Sequence, residues 1–214
     1  MPRKQAGFTL VEIAIVLVII GLLLGGVLKG QELITQAKIK NIANDFNATT
    51  AAILAYQDRY RKLPGDDNGA AARWTGLSNG TGDGSIGGHI ISGGSTDETY
   101  YFWQDLRSAG FITGGGTDGT PPLNAAGGVL GVAMGSGSTG GSSSTAVPGL
   151  SGVVVCSTGL PGKIAIALDS QFDDGQPGSG STRGYTYDGT TLTSVAGAYS
   201  EDTSTVYTVC RSVL

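Results

Sequence analysis

The sequence predicts an α+β protein: a long N-terminal α-helix, one half membrane-type and one half amphipathic, packed against a small antiparallel β-sheet head with long Gly/Ser-rich loops. Three observations predict it. From Phe8 to Leu28 the only ionisable residue is Glu12. Ile39, Ile42, Phe46, Ile53, Tyr56 and Tyr60 then recur at spacings of 3, 4, 7, 3 and 4, the stripe of a helix with one buried face. Beyond Pro64, short β-rich runs alternate with Gly, Ser and Thr.

The first helix follows from length. About 20 apolar residues cross a bilayer as a helix, and Ile13 to Leu24 is apolar throughout. Arg3 and Lys4 precede this run and only Lys29 follows closely, so the positive-inside rule keeps the N-terminus cytoplasmic and sends the rest outward. Gly21-xxx-Gly25 and Gly26-xxx-Gly30 are small-xxx-small patterns that allow close helix approach and also weaken the helix locally. The amphipathic half continues over 29–63, with Lys38, Lys40, Asn41, Asp45, Gln57 and Arg61 on its other faces, and Leu63-Pro64-Gly65 stops it. The organisation is therefore a segment 1–7, a membrane helix 8–28, an amphipathic helix 29–63 and a head 64–214.

Within the head, Asp97 to Ala109 reads as a short helix, with Thr96 or Asp97 as its cap and Gly110 as its stop. Residues 113–150 read as a flexible Gly/Ser/Thr loop, broken by the apolar patch Val129–Met134. Strands are expected at Gly152–Cys156, Lys163–Leu168, Gly184–Tyr187, Thr191–Val195 and Thr205–Arg211, with Asp188-Gly189 as a tight hairpin turn.

Charge is unevenly placed. Residues 29–62 carry six basic and three acidic side chains, whereas 63–214 carry five basic and thirteen acidic. An acidic head argues against bulk electrostatic binding of nucleic acid, which needs clustered Lys and Arg. The two cysteines, Cys156 and Cys210, would form one disulfide in an oxidising compartment; the alternative is a pair of buried free thiols.

Glu12 is the outstanding residue of the N-terminus. A carboxylate at the start of a membrane helix is costly, marks function and needs a partner. If the chain were cut after Gly7, the new α-amino group of Phe8 would lie one helical turn from Glu12, and that of a neighbouring subunit could neutralise it. Gly7-Phe8-Thr9-Leu10-Val11-Glu12 resembles the class III signal of type IV pilins and of the pseudopilins of type II secretion. An ordinary signal peptide is cut after its apolar region; here the junction precedes it, so the helix stays on the mature protein. The resemblance implies cleavage after Gly7 by a prepilin peptidase, N-methylation of Phe8, pairing of Glu12 with a neighbour's Phe8 amine, and an inner-membrane assembly platform with its ATPase. Leu63-Pro64-Gly65-Asp66, Gly82-Asp83-Gly84-Ser85-Ile86, Trp103–Ile112, and Leu168-Asp169 with Asp173-Asp174-Gly175 resemble segments that recur in heads of this family.

Enzymatic readings find little support. His89 is the single histidine, so a His-based zinc site or a Ser-His-Asp triad would rest on it alone. Gly82-x-Gly84-x-x-Gly87 matches a dinucleotide fingerprint in form, yet it follows no expected strand and opens no helix. Calcium is the one candidate cofactor, at Asp169, Asp173 and Asp174 or at Asn79, Thr81 and Asp83, which echo the first half of an oxygen-ligand loop. The expected function is that of a structural subunit of a type IV pilus or pilus-like filament, held in the bacterial inner membrane before assembly and in a cell-surface pilus or periplasmic fibre afterwards. The alternatives are a type II secretion pseudopilin and a membrane-anchored binding module that does not polymerise.

Overall fold

The computed structural model describes residues 9–91, 94–136, 146–189, 191–202 and 204–214. Its elements in chain order are α1 (Leu10–Tyr60), α2 (Ala70–Arg73), α3 (Glu98–Ser108), β1 (Leu130–Met134), β2 (Val153–Pro161), α4 (Gly162–Phe172), β3 (Thr182–Tyr187), β4 (Leu192–Ser194) and β5 (Val206–Ser212). Two compact units result, one up to Lys38 and one from Ile39 onward.

In the first unit, α1 is continuous through Gly21, Gly25, Gly26 and Gly30, and its apolar side chains from Leu10 to Leu28 are exposed. Among the described residues it is the helix long and apolar enough to cross a membrane.

In the second unit, the same helix buries one face. Ile42, Ala43, Phe46, Thr49, Ala52, Ile53 and Tyr56 are enclosed, as the apolar stripe requires, while Lys40, Asn41 and Arg61 stay exposed. Each fully enclosed aromatic or Ile here contributes about 2–3 kcal/mol of transfer free energy. The helix ends at Tyr60, a little before the proline, because Arg61 takes a left-handed φ of 55°. Gly65 then turns at φ 88°, and a Cβ there would lie 2.5 Å from the Glu98 carbonyl oxygen. The Leu-Pro-Gly turn thus sits directly on the N-terminus of α3.

The sheet is antiparallel, in the order β1-β2-β5-β3-β4. The central pair, β2 and β5, joins Cys156 to Cys210 by a disulfide. Both faces of β2 are covered. Val153 and Val155 pack in the core that holds Ile42, Phe46 and Tyr56, while Val154 and Cys156 pack on the opposite face with Ile90, Val147, Leu150 and Tyr185. A strand buried on both faces reads as an unbroken apolar run, which is why Val153-Val154-Val155-Cys156 shows no alternation.

The architecture agrees with the α+β expectation, and three local readings change. Lys163–Leu168 is not a strand but most of α4. Ile164, Ile166 and Leu168 alternate as in a strand, yet the buried set Ile164, Ala165, Leu168 and Asp169 follows the helical period. The apolar patch at Val129–Met134 is the strand β1, fully buried against β2 and against the Ile90 carbonyl, which accepts the Val132 N–H at 3.2 Å. In the hairpin, Tyr187 pairs with Leu192 and the Asp188 N–H donates to the Thr191 carbonyl at 3.4 Å, so Asp188 flanks the turn rather than opening its centre, and Thr190 lies outside the described residues. Of the loop read at 113–150, residues 137–145 lie outside the described ones. Its first part is tied to α3: Gln104 Nε2 donates to the Thr117 carbonyl, Ser108 Oγ to that of Gly116, and Arg107 Nη2 to that of Thr120.

Candidate functional site

The N-terminal site begins where α1 begins. Gly7 and Phe8 lie outside the described residues; Thr9 and Glu12 lie inside. Thr9 N–H donates to Glu12 Oε2 at 2.8 Å, the Thr9 hydroxyl donates to the same oxygen at 2.9 Å, and Glu12 N–H approaches Thr9 Oγ1 at 3.3 Å. This is a capping box, in which residues three apart satisfy each other's orphan groups at a helix start. Its negative charge also faces the positive end of the helix dipole. The Thr-x-x-Glu spacing was the signal for it in the sequence. Glu12 is thereby held by its own chain at the lip of an exposed apolar cylinder whose surface includes Leu10, Ile13, Ile15 and Leu17.

Residues 2–28, which span this geometry, match the family model for the prokaryotic N-terminal methylation motif. The chain carries a class III prepilin signal. That signal is the one shared by type IV pilins and pseudopilins, and it implies processing by a prepilin peptidase and assembly with other pilin subunits. It points to a structural subunit rather than an enzyme. An apolar helix directly behind the prepilin signal also fits membrane anchoring. No curated protein and no solved structure matches the chain.

The head commits most of the remaining candidate residues to local bonds. Asn79 Oδ1 accepts the Ala71 N–H at 2.8 Å, at the start of α2. Thr81 donates through N–H and hydroxyl to Glu98 Oε1, at 2.7 and 2.8 Å. Asp83 Oδ1 accepts the Ser85 N–H. These three side chains serve three different partners. The glycine loop they belong to turns its N–H groups inward: Gly82, Asp83 and Gly84 donate to the Asp66 carboxylate at 2.5, 2.9 and 2.7 Å, joined by the Thr81 hydroxyl at 3.2 Å. Backbone N–H groups converging in this way form a cradle for an anion, and the anion is the buried Asp66 of the same chain. A cation site needs carbonyl and carboxylate oxygens facing one centre. The fingerprint-like Gly82-x-Gly84-x-x-Gly87 is filled from within.

The second acidic cluster is similar. Asp169 is buried in α4, where its Oδ2 accepts the Tyr199 hydroxyl at 2.6 Å and its Oδ1 the Gly175 N–H at 3.1 Å. Burial pushes the Asp169 carboxyl up to about 6. Asp173 accepts the N–H groups of Ser181 and Thr182, and Asp174 accepts the Gln176 N–H and the Ser179 hydroxyl; these bonds hold Asp174 below the usual carboxylate range. Among the described residues, no group of three or more His, Cys, Asp or Glu side chains is placed to hold a metal ion. His89 is half-buried, and its backbone N–H points at Asp97 Oδ2 at 3.5 Å. Asp97 occupies the N-cap position of α3 without a side-chain cap.

Sequence reasoning missed Thr9, Asp66, Glu98 and Asp105 as organising residues. All but Thr9 are carboxylates, for which solvent exposure is the ordinary expectation.

Proposed function

We propose that this chain is a structural subunit of a type IV pilus or pilus-like filament, cut after Gly7, N-methylated at Phe8 and assembled by packing its apolar helices. The observation that carries the reading is a junction that precedes, rather than follows, an unbroken apolar helix bearing one carboxylate near its start. Before assembly the apolar half of α1 anchors the chain in the inner membrane with its N-terminus cytoplasmic, as Arg3 and Lys4 favour. On assembly, lipid contacts are exchanged for helix contacts, which the two Gly-xxx-Gly pairs make close. Glu12 leaves the Thr9 N–H and hydroxyl for the Phe8 amine of the adjoining subunit, a bond in which donor and acceptor are both charged. The partners are therefore a prepilin peptidase, an inner-membrane assembly platform and further subunits of the same class.

Two substitutions separate processing from assembly. Gly7→Trp places a large side chain at the scissile junction, and the precursor is expected to accumulate at full length on immunoblots of whole cells. Normally shortened protein in that variant would contradict the assignment. Glu12→Ala leaves the junction intact, so cleavage is expected to proceed while the yield of sheared filaments falls roughly tenfold or more, the loss of a paired charge inside an apolar packing. Unchanged filament yield would remove Glu12 from assembly. The deciding experiment is mass spectrometry of sheared surface material beside the membrane fraction. Abundant chain beginning at methylated Phe8 in the sheared material identifies a surface pilin. The same terminus confined to membranes identifies a pseudopilin or a non-polymerising module, and an uncut N-terminus overturns the reading.

A further inference from the structure

Where the end of α1 meets α3, two carboxylates are withdrawn from water together. Asp67 and Asp105 are 0% and 1% exposed, and Tyr56 between them is 0% exposed. Asp67 is fully served: the Tyr56 hydroxyl donates to its Oδ2 at 2.6 Å, the Gly69 N–H to its Oδ1 at 2.8 Å, and Arg73 forms an ion pair with it. Arg73 is in turn stacked against the rings of Tyr60 and Trp74, at 4.8 and 5.1 Å. Asp105 is served on one side only. Its Oδ2 accepts the Gly65 N–H at 2.8 Å, and its Oδ1 has no hydrogen-bond partner among the described residues.

The groups facing Asp105 are the Tyr56 hydroxyl from α1, with Tyr60 behind it, the Gly65 N–H from the turn, and Arg73 from α2. Among them Arg73 is the one cation, and Asp67 holds it by direct contact. A buried carboxylate without its own cation is strongly disfavoured, and a bound proton relieves it. A protonated Asp105 also gains a partner. The Tyr56 oxygen has two lone pairs, of which Arg73 Nη2 approaches one at 3.5 Å, and its proton is committed to Asp67.

We propose that Asp105 keeps its proton below neutral pH and donates from Oδ1 to the Tyr56 hydroxyl, making the junction of α1, the Leu-Pro-Gly turn and α3 a pH-sensitive clamp. The order is Asp105 O–H to Tyr56 O–H to Asp67 carboxylate to Arg73. On alkalinisation the Asp105 proton leaves to solvent, the Oδ1 loses its acceptor, and two negative carboxylates share one guanidinium. Burial pushes the Asp105 carboxyl up to about 7, against the downward pull of the Gly65 N–H and the Arg73 charge. Burial, and then the Asp105 charge, push the Tyr56 hydroxyl well up, so it keeps its proton throughout. Because the folded value lies above the unfolded one, the folded state binds more protons between about pH 4 and about pH 7, and stability falls as pH rises through that window.

The test is infrared titration of the full chain in detergent micelles. The wild type is expected to show a buried carboxylic-acid C=O band at about pH 5 that bleaches with a midpoint of about pH 7. Asp105→Asn, whose amide mimics the protonated acid, is expected to lack that band and to lose unfolding midpoint with pH less steeply. Asp169→Asn, a control at the other raised carboxyl, is expected to retain it. A midpoint at the ordinary carboxylate value, or a band with a midpoint near pH 7 that survives Asp105→Asn, overturns the proposal. If Asp105→Asn does not fold, aspartate-selective carbon-13 carboxyl shifts of the wild type decide: no aspartate titrating near neutrality with the shift of a buried acid overturns it equally.

Discussion

Asp66→Ala is expected to lower the unfolding free energy of the full chain in detergent by about 3 kcal/mol, one of the largest effects of any single side chain in the head. The reason is the arithmetic of donors. One buried carboxylate accepts three backbone N–H groups and a hydroxyl, and bonds to a charged acceptor contribute about 1.5–3 kcal/mol each before the loop relaxes. Truncation to Ala leaves those donors to whatever water reaches them. Full additivity is not expected, because residues 81–84 are exposed on their outer side and share one acceptor. The loop presses on the same turn, since a Cβ at Gly80 would collide with the Gly65 carbonyl oxygen. Releasing it therefore also loosens Gly65 on α3. Asp66→Asn keeps one acceptor oxygen and loses the other, so roughly half the loss is expected. Denaturant midpoints of the three proteins, with limited proteolysis between residues 79 and 88, check the order. A midpoint for Asp66→Ala equal to wild type would show that the cradle does not hold the head together.

Replacing both Cys156 and Cys210 with alanine is expected to cost about 4 kcal/mol, from the chain entropy of a crosslink spanning 54 residues. Both cysteines are wholly buried on the sheet face opposite α1, so the substitution also removes packing next to Val154 and Tyr185. The bond joins the two central strands, and its loss weakens the pairing on which the sheet depends. Unfolding of oxidised wild type, reduced wild type and the double variant separates the contributions. Reduction alone should account for most of the loss, and the double variant should lie close to reduced wild type. A reduced protein as stable as the oxidised one would mean that the crosslink constrains nothing the fold does not already hold.

How legible these features were depends on whether periodicity or polarity carries them. The membrane half of α1 was plain because twelve consecutive apolar residues from Ile13 to Leu24 admit one interpretation. Its amphipathic half was plain because Ile42, Phe46, Ile53 and Tyr56 repeat at helical spacing over several turns. The segment Ile164-Ala165-Ile166-Ala167-Leu168 satisfies the strand period and the helix period at once, and its tertiary setting decides for the helix. β1 was hidden by the glycines around it. Gly131 sits inside the strand because the Ile90 backbone approaches so closely that any Cβ would collide with its carbonyl oxygen. The disulfide followed from having two cysteines, although its place at the sheet centre did not. The N-terminal signal was legible because it is a local sequence pattern. Asp66 and Asp105 were not, because an aspartate in a turn or on a short helix looks alike whether it faces water or is enclosed by distant chain.

The sheet order carries a consequence for how the molecule is made. β5, the last described element, occupies the middle of the sheet between β2 and β3. A ribosome delivers residues in order, so strands on both flanks exist before the strand that joins them. Until Val206–Ser212 has been synthesised, the β1–β2 pair and the β3–β4 hairpin have no shared neighbour, and Cys156 has no partner. Head formation is therefore a late, post-translational event, and until it occurs the strand edges that β5 will cover stay open to pairing with other chains.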